Sequence, residues 1–395
     1  MIIWLVLLAV VMAGGAVYTF VAWPKNESTR TAWFWIQLLG IPFLLWALAY
    51  GLRWLYHEQE CDRIDAVNET LRADREKAVE FARDPLAVLG YAYLTGAGTS
   101  NMARLIAEPA NTAELPTGEI AVSVSNYKEL PLVGDDDDPS RYRACFGDLI
   151  GAMVDVVRKI PHDAPFAVRL QLPKEADRDT SLAAWQACWT AAKLRPTTAI
   201  LIEPEQGVMA LDEWLDVRGG PKLERFVLFA AVQLREAPFD DSTEAAVALL
   251  LSWAPLAYRY ELCPLAILHR PIEGESEECR AVLTTPLRFG HATGDQISDL
   301  WEAALESDEK SIISRDISSL VAGVSKTEKL SGIHDIDKTF DRLDGATGWL
   351  TLTLGIEHAA DTKRPQLMAW REGRFRVAVA QPGGQTSTRD GIEIA

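Results

Sequence analysis

Two long stretches without a charged residue constrain this chain more than any other feature of its sequence. They cover residues 2–23 and 31–52, and a short polar segment, residues 24–30, separates them. Each stretch is long enough to cross a bilayer core of about 30 Å as a helix. The sequence therefore predicts a transmembrane helical hairpin over residues 1–57, which would make the chain an integral membrane protein.

Aromatic residues at the ends of both stretches agree with a hairpin, because tryptophan and tyrosine favour the membrane–water interface. The turn end carries Trp23, Trp33 and Trp35, and the opposite end carries Trp4, Trp54 and Tyr56. A cleavable signal peptide is the alternative for the first stretch, but residues 1–4 lack the basic side chain that such a peptide needs.

Basic residues predict the orientation of the hairpin, since they concentrate on the cytoplasmic side of a membrane. Arg53, Arg63 and Arg72 flank the second stretch, against two basic residues in the turn. The chain also has 5 cysteines, an odd number without metal-ligand spacing, which favours a reducing compartment. We therefore expect two spans in the inner (plasma) membrane and a cytoplasmic main domain.

The chain beyond the hairpin is strongly acidic. Of 39 basic and 56 acidic residues, three basic and one acidic precede Glu58, which leaves 36 basic and 55 acidic residues and a net charge of −19. This charge argues against binding nucleic acid or an anionic membrane surface. It fits simple solubility or a basic protein partner.

Three segments follow the hairpin. Residues 58–84 carry apolar residues at roughly helical intervals among charges, which predicts a helical stalk that Pro85 ends. Residues 85–382 alternate short apolar runs with amphipathic segments, which is typical of an α/β domain. Residues 383–395 are rich in Gly, Ser and Thr and predict a flexible tail.

The pattern of residues 85–382 predicts a mostly parallel sheet with helices on both faces. Residues 243–253 fit a helix or a buried strand, and residues 258–268 fit a long edge strand that contains Pro264. Residues 365–370 and 375–380 predict a closing β-hairpin. The other predicted strands are 86–94, 120–124, 166–172, 198–202 and 225–232, and the predicted helices start near Ser100, Arg141 and Ser181.

Three of these stretches also carry a family resemblance. Residues 242–251 join a Glu-Ala-Ala run to a buried segment, Gly345-Ala-Thr-Gly348 forms a Gly-x-x-Gly turn, and residues 367–379 form the hairpin. Together they resemble the thiolase-like superfamily, which includes the β-ketoacyl synthases, over residues 119–382. The resemblance implies an α/β domain with a layered mixed sheet, in which the Gly345 turn starts a central helix.

The resemblance also implies a condensing site, with a thiolate at a helix N-terminus and two His, or His and Asn, side chains. Cys145, beside Arg141 and Arg143 at a predicted helix start, is the weak candidate for the thiolate. Cys188 lies inside a predicted helix, where burial is the expected role.

The histidine positions of the resemblance are poorly matched. His291, in a segment that continues through Asp295 to Asp299, superficially matches the first histidine. The second falls at Arg342, whose guanidinium has no acceptor atom and cannot replace it. We therefore expect a pseudo-enzyme, without catalytic residues and without a cofactor.

Other candidate sites are weaker. Thr95-Gly-Ala-Gly98 could cradle a phosphate, but it lacks a third glycine and a Walker lysine. The acidic run 135–138 matches no calcium-loop spacing and predicts an exposed loop. His334 and Asp337 could offer metal ligands, but without a further ligand they favour a surface turn, so we predict no metal site.

A membrane anchor, an acidic thiolase-like domain and a lost catalytic triad are together similar to accessory proteins of bacterial type VI secretion. They are similar in particular to adaptors that load lipase effectors onto the secreted spike. This implies a protein partner, either a secreted effector or a secretion component, and no nucleic acid. Two alternatives stay open: a membrane-tethered acyl-transferring condensing enzyme, and an immunity or envelope-scaffold protein.

Overall fold

The structure is a computed structural model that describes residues 2–24, 28–108, 130–132, 140–235, 244–275, 278–320, 322–327, 330–340 and 343–384. The chain divides into two units, Met1–Ala78 and Val79–Ala395. Four predicted features lie outside the described residues: the strand 120–124, the acidic run 135–138, Arg342 and the tail beyond residue 384.

The first unit contains the helical hairpin. Its helices are α1 Ile2–Ala22, α2 Ala32–Trp35, a π-helical turn Ile36–Gly40, and α3 Ile41–Ala82. The helices Ile2–Ala22 and Ala32–Ala82 are long and apolar enough to cross a membrane by length and composition. The predicted stalk is helical and continuous with the second hydrophobic stretch, because α3 runs from Ile41 to Ala82 without a break.

The two hydrophobic helices pack against each other in antiparallel fashion. Trp46 Nε1 donates a hydrogen bond to the carbonyl of Trp4 at 2.9 Å. Gly15 faces Pro42 so closely that a Cβ on Gly15 would meet Pro42 Cγ at 2.2 Å. Small residues permit this kind of approach between apolar helices, so Gly15 lets the hairpin close.

The second unit is built on one eleven-stranded mixed sheet. The strands are β1 Leu86–Thr95, β2 Phe166–Gln171, β3 Ala199–Ile202, β4 Phe226–Gln233, β5 Ala245–Trp253, β6 Ala266–Leu268, β7 Ile272–Gly274, β8 Asp299–Ala303, β9 Ile333–Asp335, β10 Gln366–Glu372 and β11 Arg374–Pro382. Their order is β3-β2-β4-β5-β1-β6-β11-β10-β8-β9, and β7 pairs with β11.

Helices of the second unit connect the strands. They are α4 Met102–Ala107, α5 Arg141–Arg158, α6 Arg178–Ala191, α7 Ala210–Leu215, α8 Ala254–Arg259, α9 Cys279–Phe289, α10 Ser307–Leu320, α11 Ala322–Ser325 and α12 Thr347–Thr362. Short 3₁₀ turns cover Gly207–Met209, Gly294–Gln296, Ile336–Lys338 and Asp344–Ala346.

The sheet consists of two halves with the same topology. In the order β3-β2-β4-β5, the first two pairs are parallel and the last is antiparallel. The order β9-β8-β10-β11 repeats this pattern pair by pair. The strands β1 and β6 join the halves through antiparallel pairs with β5 and β11. The fold is therefore a duplicated unit, and each half brings the carboxyl ends of three parallel strands together.

Helix α12 lies between the two halves. Every residue from Thr347 to Ala359 is buried, and the apolar core around them includes side chains of β4, β5, β10 and β11. The buried residues include the polar Glu357 and His358, so this helix is covered by protein on every side. Gly355 allows close packing, since a Cβ there would meet Met368 Sδ at 2.3 Å. The outer faces are covered by α5 and α6 in one half and by α9 and α10 in the other.

Most predicted elements are confirmed, and two predictions are wrong. The sheet is not mostly parallel, because six of its ten strand pairings are antiparallel and four are parallel. The prediction of a long edge strand over residues 258–268 is also wrong, because α8 ends at Arg259 and only Ala266–Leu268 forms a strand. The ambiguous residues 243–253 form the buried strand β5, the closing hairpin is present, and the Gly345 turn precedes α12.

Candidate functional site

A cavity of about 350 Å³ opens at the carboxyl ends of the parallel strands β2, β3 and β4. Gln171 and Gln233 end β2 and β4, and Glu205 follows β3. The second half of the domain contributes Gly345, before α12, and Glu372, at the end of β10. Ligands of α/β proteins bind beyond the carboxyl ends of the strands, so this cavity is the first candidate for a functional site.

The carboxylate of Glu372 lies against the starts of two helical segments. A Cβ on Gly207 would come within 2.6 Å of Glu372 Oε2, and a Cβ on Gly348 would come within 2.9 Å of the same oxygen. Gly207 begins the 3₁₀ turn before α7, and Gly348 is the second residue of α12. Only residues without a side chain leave room here, so the two glycines form a cradle for the carboxylate.

The environment of Glu372 favours its neutral form. Burial raises the pKa of Glu372 to about 7, against the opposing effect of Arg376, whose Nη1 donates to Oε2 at 2.6 Å. The Trp370 indole and the Val208 amide also lie near the carboxylate and lower its pKa. Neither has hydrogen-bond geometry to Oε1, which has no partner among the described residues. Near neutral pH, Glu372 can therefore donate or accept a hydrogen bond.

Two glutamine side chains lie beside the segment that leads into α12. Gln171 Nε2 donates to the carbonyl of Gly345 at 2.9 Å, and Gln171 Oε1 accepts from Trp349 Nε1 at 2.7 Å. Both ends of this amide are therefore used to hold the start of α12. Gln233 lies near the same point, because a Cβ on Gly345 would meet Gln171 Nε2 at 3.2 Å and Gln233 Oε1 at 3.5 Å. Its amide lines the cavity and is the more available of the two for a ligand.

Charged residues surround the mouth of the cavity. Lys174 Nζ pairs with Glu205 Oε1 at 2.5 Å, and Arg235 pairs with Asp344. The acidic residues among the described lining are Glu175, Glu205, Asp344 and Glu372, against Lys174 as the basic one. Lys174, Arg235 and Arg376 each pair with one of these carboxylates. The remaining negative charge is that of Glu175, and it favours a ligand that carries a cationic group.

The structure places Cys145 in the core rather than in the cavity. The thiol lies near the start of α5, as predicted, but it is fully buried in the apolar cluster of the first half. Burial, with a smaller contribution from the nearby Glu244, raises the pKa of Cys145 to about 12. Arg141 lowers this pKa, but not enough to offset burial, and it forms a buried ion pair with Glu244. The conditions for a reactive thiolate are absent at Cys145.

His291 does not join Cys145. It is an exposed residue with φ +47, just after α9 in the second half, whereas Cys145 packs in the first half. Asp295 lies in a 3₁₀ turn, and Asp299 starts β8. The segment that superficially matched a catalytic histidine therefore lies apart from the candidate thiol.

The remaining predicted motifs have structural roles. Thr95 Oγ1 donates to the carbonyl of Gly98 at 2.7 Å and accepts from the Gly98 amide at 3.1 Å, so this turn satisfies its own polar groups. Cys188 is half-buried in α6, where its thiol donates to the carbonyl of Arg143. His334 was predicted on a surface turn, which is wrong, because it is buried in the middle of β9.

Glu372, Gln171 and Gln233 were not identified from the sequence, although one signal was present. Each is a polar residue at the last position of an apolar strand, in β10, β2 and β4 respectively. Because carboxyl ends of parallel strands meet at one edge, such residues mark a site once the topology is known. Without the topology, they are indistinguishable from ordinary strand ends.

No known family matches the chain by sequence, and no curated protein matches it. Solved structures, in contrast, match the chain by their fold. The ketosynthase from module 6 of the bacillaene synthase of Bacillus subtilis has a TM-score of 0.53 at 12% identity, covering 76% of this chain and 70% of that chain. A second structure of that ketosynthase has a TM-score of 0.51 at 11% identity, covering 76% and 72%. The oxazolomycin ketosynthase domain of Streptomyces albus has a TM-score of 0.50 at 13% identity, covering 79% and 99%.

These matches show that the chain contains a thiolase-like fold of the β-ketoacyl synthase type, as the sequence resemblance predicted. Identities this low show the fold alone. A condensing reaction needs a thiolate at a helix N-terminus. At the cavity, the starts of two helical segments face Glu372, and the described lining residues include no cysteine or histidine. The arrangement is suited to binding through hydrogen bonds and charge.

Proposed function

We propose that this chain is a membrane-anchored protein that uses its thiolase-like domain to bind a protein partner, without catalysing carbon–carbon condensation. The observation that carries this proposal is the position of Glu372 at the helix starts that border the cavity. A carboxylic acid there can hold a ligand, but it cannot form the thioester on which condensation depends. The buried, high-pKa thiol of Cys145 supports the same proposal.

The partner offers a cationic group, such as a lysine or arginine side chain, to the acidic cavity. Glu175 and the Glu372 Oε1 atom, which has no partner among the described residues, supply the acceptors, and Gln233 supplies an amide. A charge-assisted hydrogen bond in a partly dry site contributes roughly 1.5–3 kcal/mol, enough to select a basic segment over a neutral one. The formal net charge of −17 for the whole chain also attracts such a partner over a longer range.

The setting we propose is bacterial type VI secretion, with the chain acting as an adaptor for a lipase effector. Support comes from the combination of two apolar N-terminal helices with a thiolase-like domain whose cavity is not equipped for condensation. The hairpin holds the adaptor in the inner membrane and the main domain faces the cytoplasm, where effectors are made. The partner is then a secreted effector or a component of the secretion machine.

The catalytic alternative is tested by acyl loading. Full-length protein in detergent is incubated with acetyl-CoA and malonyl-CoA, and its intact mass is measured, with an active ketosynthase as the positive control. We expect no acyl adduct on the wild-type protein. An adduct that disappears in Cys145→Ser would overturn the proposal and establish the condensing enzyme.

Partner binding is tested with a lipase effector of a type VI secretion system as the probe. The two full-length proteins are co-expressed, and their affinity is compared for wild type, Glu372→Gln and the exposed control Glu261→Gln. At pH 8, where Glu372 is mostly ionised, we expect Glu372→Gln to weaken the complex about tenfold, which corresponds to one lost charge-assisted hydrogen bond. Glu261→Gln should leave the affinity unchanged. Equal affinities for all three proteins would reject the cavity as the binding site.

A further inference from the structure

A second polar cluster lies in the other half of the domain, away from the cavity residues. It consists of Asp299 at the start of β8, His334 in the middle of β9 and His358 near the end of α12. One ligand atom from each residue lies within 4.8 Å of the other two. Three elements that are far apart in the sequence therefore bring two imidazoles and a carboxylate to one point.

The distances fit coordination of a small ion. His334 Nε2 lies 2.9 Å from Asp299 Oδ1, and His358 Nε2 lies 3.8 Å from the same oxygen. Tetrahedral zinc has Zn–N and Zn–O bonds of about 2.0–2.1 Å, which separates neighbouring ligand atoms by roughly 3.3–3.4 Å. The two observed separations lie on either side of this value. The ligand atoms of the two histidines lie within 4.8 Å of each other, so the three atoms surround one point.

The surroundings prepare Asp299 to act as a ligand. Its side chain is 17% exposed, and those of His334 and His358 are 5% and 9% exposed. Ser298 Oγ lies 2.6 Å from Asp299 Oδ2 and orients the carboxylate.

The charge of Asp299 is not balanced by a fixed cation. Within the described part of the chain, its only ion-pair partners are the two histidines, and no lysine or arginine pairs with it. The ring of Trp301 lies 4.6 Å from the ring of His334 and 5.3 Å from that of His358, which restricts the positions of both imidazoles. A largely buried carboxylate is stabilised by a nearby positive charge. A metal ion bound between the carboxylate and the two imidazoles would supply it.

We propose that Asp299, His334 and His358 bind one divalent transition-metal ion, with zinc preferred. Imidazole donors suit zinc and its neighbours, whereas magnesium and calcium prefer oxygen ligands only. Three protein ligands leave a fourth position for water on the side where Asp299 reaches the surface. The ion ties β8, β9 and α12 together, so it stabilises the second half of the domain. This site is independent of partner binding at the cavity.

The direct test uses full-length protein in detergent, stripped with a chelator and titrated with Co²⁺, whose visible absorption reports tetrahedral coordination. We expect a spectrum that saturates at one ion per chain and is abolished by one equivalent of Zn²⁺. Metal analysis after dialysis against Zn²⁺ should give the same stoichiometry. Absence of a saturable cobalt spectrum in the wild-type protein would refute the site without recourse to variants.

Two variants assign the ligands, and one serves as a matched control. His358→Ala and Asp299→Asn should each weaken Co²⁺ binding by at least about 100-fold, since even outer-shell changes weaken metal sites by 10–100-fold. His162→Ala removes an exposed histidine elsewhere and should bind as wild type does. Circular dichroism of each variant without metal checks that the fold persists, and Asp299→Asn keeps the shape of the side chain if His358→Ala fails to fold. Unchanged affinity in a folded variant would overturn the assignment.

Discussion

Glu372 Oε2 lies 2.6 Å from the position that a Cβ on Gly207 would occupy, although the two residues are far apart in the sequence. Gly207 also has φ +51, a conformation that side chains with a Cβ rarely adopt. Two independent constraints therefore meet at this glycine. One comes from its own backbone, and the other comes from the buried carboxylate at the cavity.

Gly207→Ala should separate these two constraints when it is compared with Gly219→Ala. Gly219 has φ +72, and a Cβ there would meet no atom within 4 Å. We expect Gly219→Ala to lower the free energy of unfolding by about 1–2 kcal/mol, from the backbone alone. Gly207→Ala should cost about 1–3 kcal/mol more, because the carboxylate is displaced. Chemical denaturation measures both values, and equal losses would mean that Glu372 moves aside freely.

The raised pKa of Glu372 predicts a pH dependence of stability. In the folded protein the pKa is about 7, against 4.5 in the unfolded chain, so the folded state holds more protons between these values. Stability from this group is therefore present at low pH, falls as the pH rises from about 4.5 to about 7, and then levels off. The full loss is roughly 3 kcal/mol. Relative to wild type, Glu372→Gln should gain unfolding free energy between pH 5 and pH 8.

Glu302 provides a comparison for that measurement. Burial raises its pKa to about 7 as well, at the end of β8 and outside the cavity lining. Relative to wild type, Glu302→Gln should also gain unfolding free energy as the pH rises from 5 to 8. It should leave partner binding unchanged. A flat difference between wild type and Glu372→Gln across this pH range would show that the carboxyl is not held in its neutral form.

Local patterns in the sequence predicted helices and strands well where a pattern is typical of only one kind of secondary structure. The runs around Gly373 identified the closing hairpin, whereas α12 was implied by the family resemblance of the Gly345 turn. The strand predicted over residues 258–268 failed because α8, which has Pro255 in its first turn, extends to Arg259, and the chain forms a strand again only at Ala266. The duplication was not visible, because the helix between β3 and β4 has 6 residues and its counterpart α12 has 16.

The sites depend on contacts that no local pattern encodes. Glu372 meets Gly207 and Gly348 only because β10 ends where two helical segments begin. Asp299 and His358 meet through the packing of α12 against β8, which the sequence pattern does not predict. The sequence placed Cys145 near a helix start, but it could not show that the thiol is fully buried.

Cys145 should react slowly with alkylating agents at neutral pH. Its thiol is fully buried with a pKa of about 12, so the thiolate fraction at pH 7 is on the order of one in 100,000. The exposed Cys263 is the internal control and should be labelled first by iodoacetamide in the same sample. Peptide mass spectrometry follows both sites. Fast labelling of Cys145 that acyl-CoA suppresses would identify a nucleophile and contradict the binding function.

The buried ion pair between Arg141 and Glu244 should be essential for the first half of the domain. Arg141 also donates to the carbonyl of Arg235 at 2.7 Å, and Glu244 Oε1 accepts from the Arg235 amide at 2.7 Å. Removing one partner leaves a buried charge, which typically costs 3–5 kcal/mol. We expect that loss for Arg141→Met and for Glu244→Gln in chemical denaturation. The double variant should lose less than the sum of the two, and simple additivity would show that the charges do not interact.

The hairpin should hold the protein in the membrane without help from its acidic domain. The helices Ile2–Ala22 and Ala32–Ala82 expose most of their apolar surface, and a net charge of −17 opposes adsorption to an anionic leaflet. Full-length protein should therefore remain in the membrane pellet after carbonate and high-salt washing, whereas a chain lacking residues 1–57 should be soluble. A reporter fused after Ala395 should be active only if it functions in the cytoplasm, as the flanking arginines predict. Release of full-length protein by salt alone would rule out the spans, and strong activity of an alkaline phosphatase fusion would reverse the orientation.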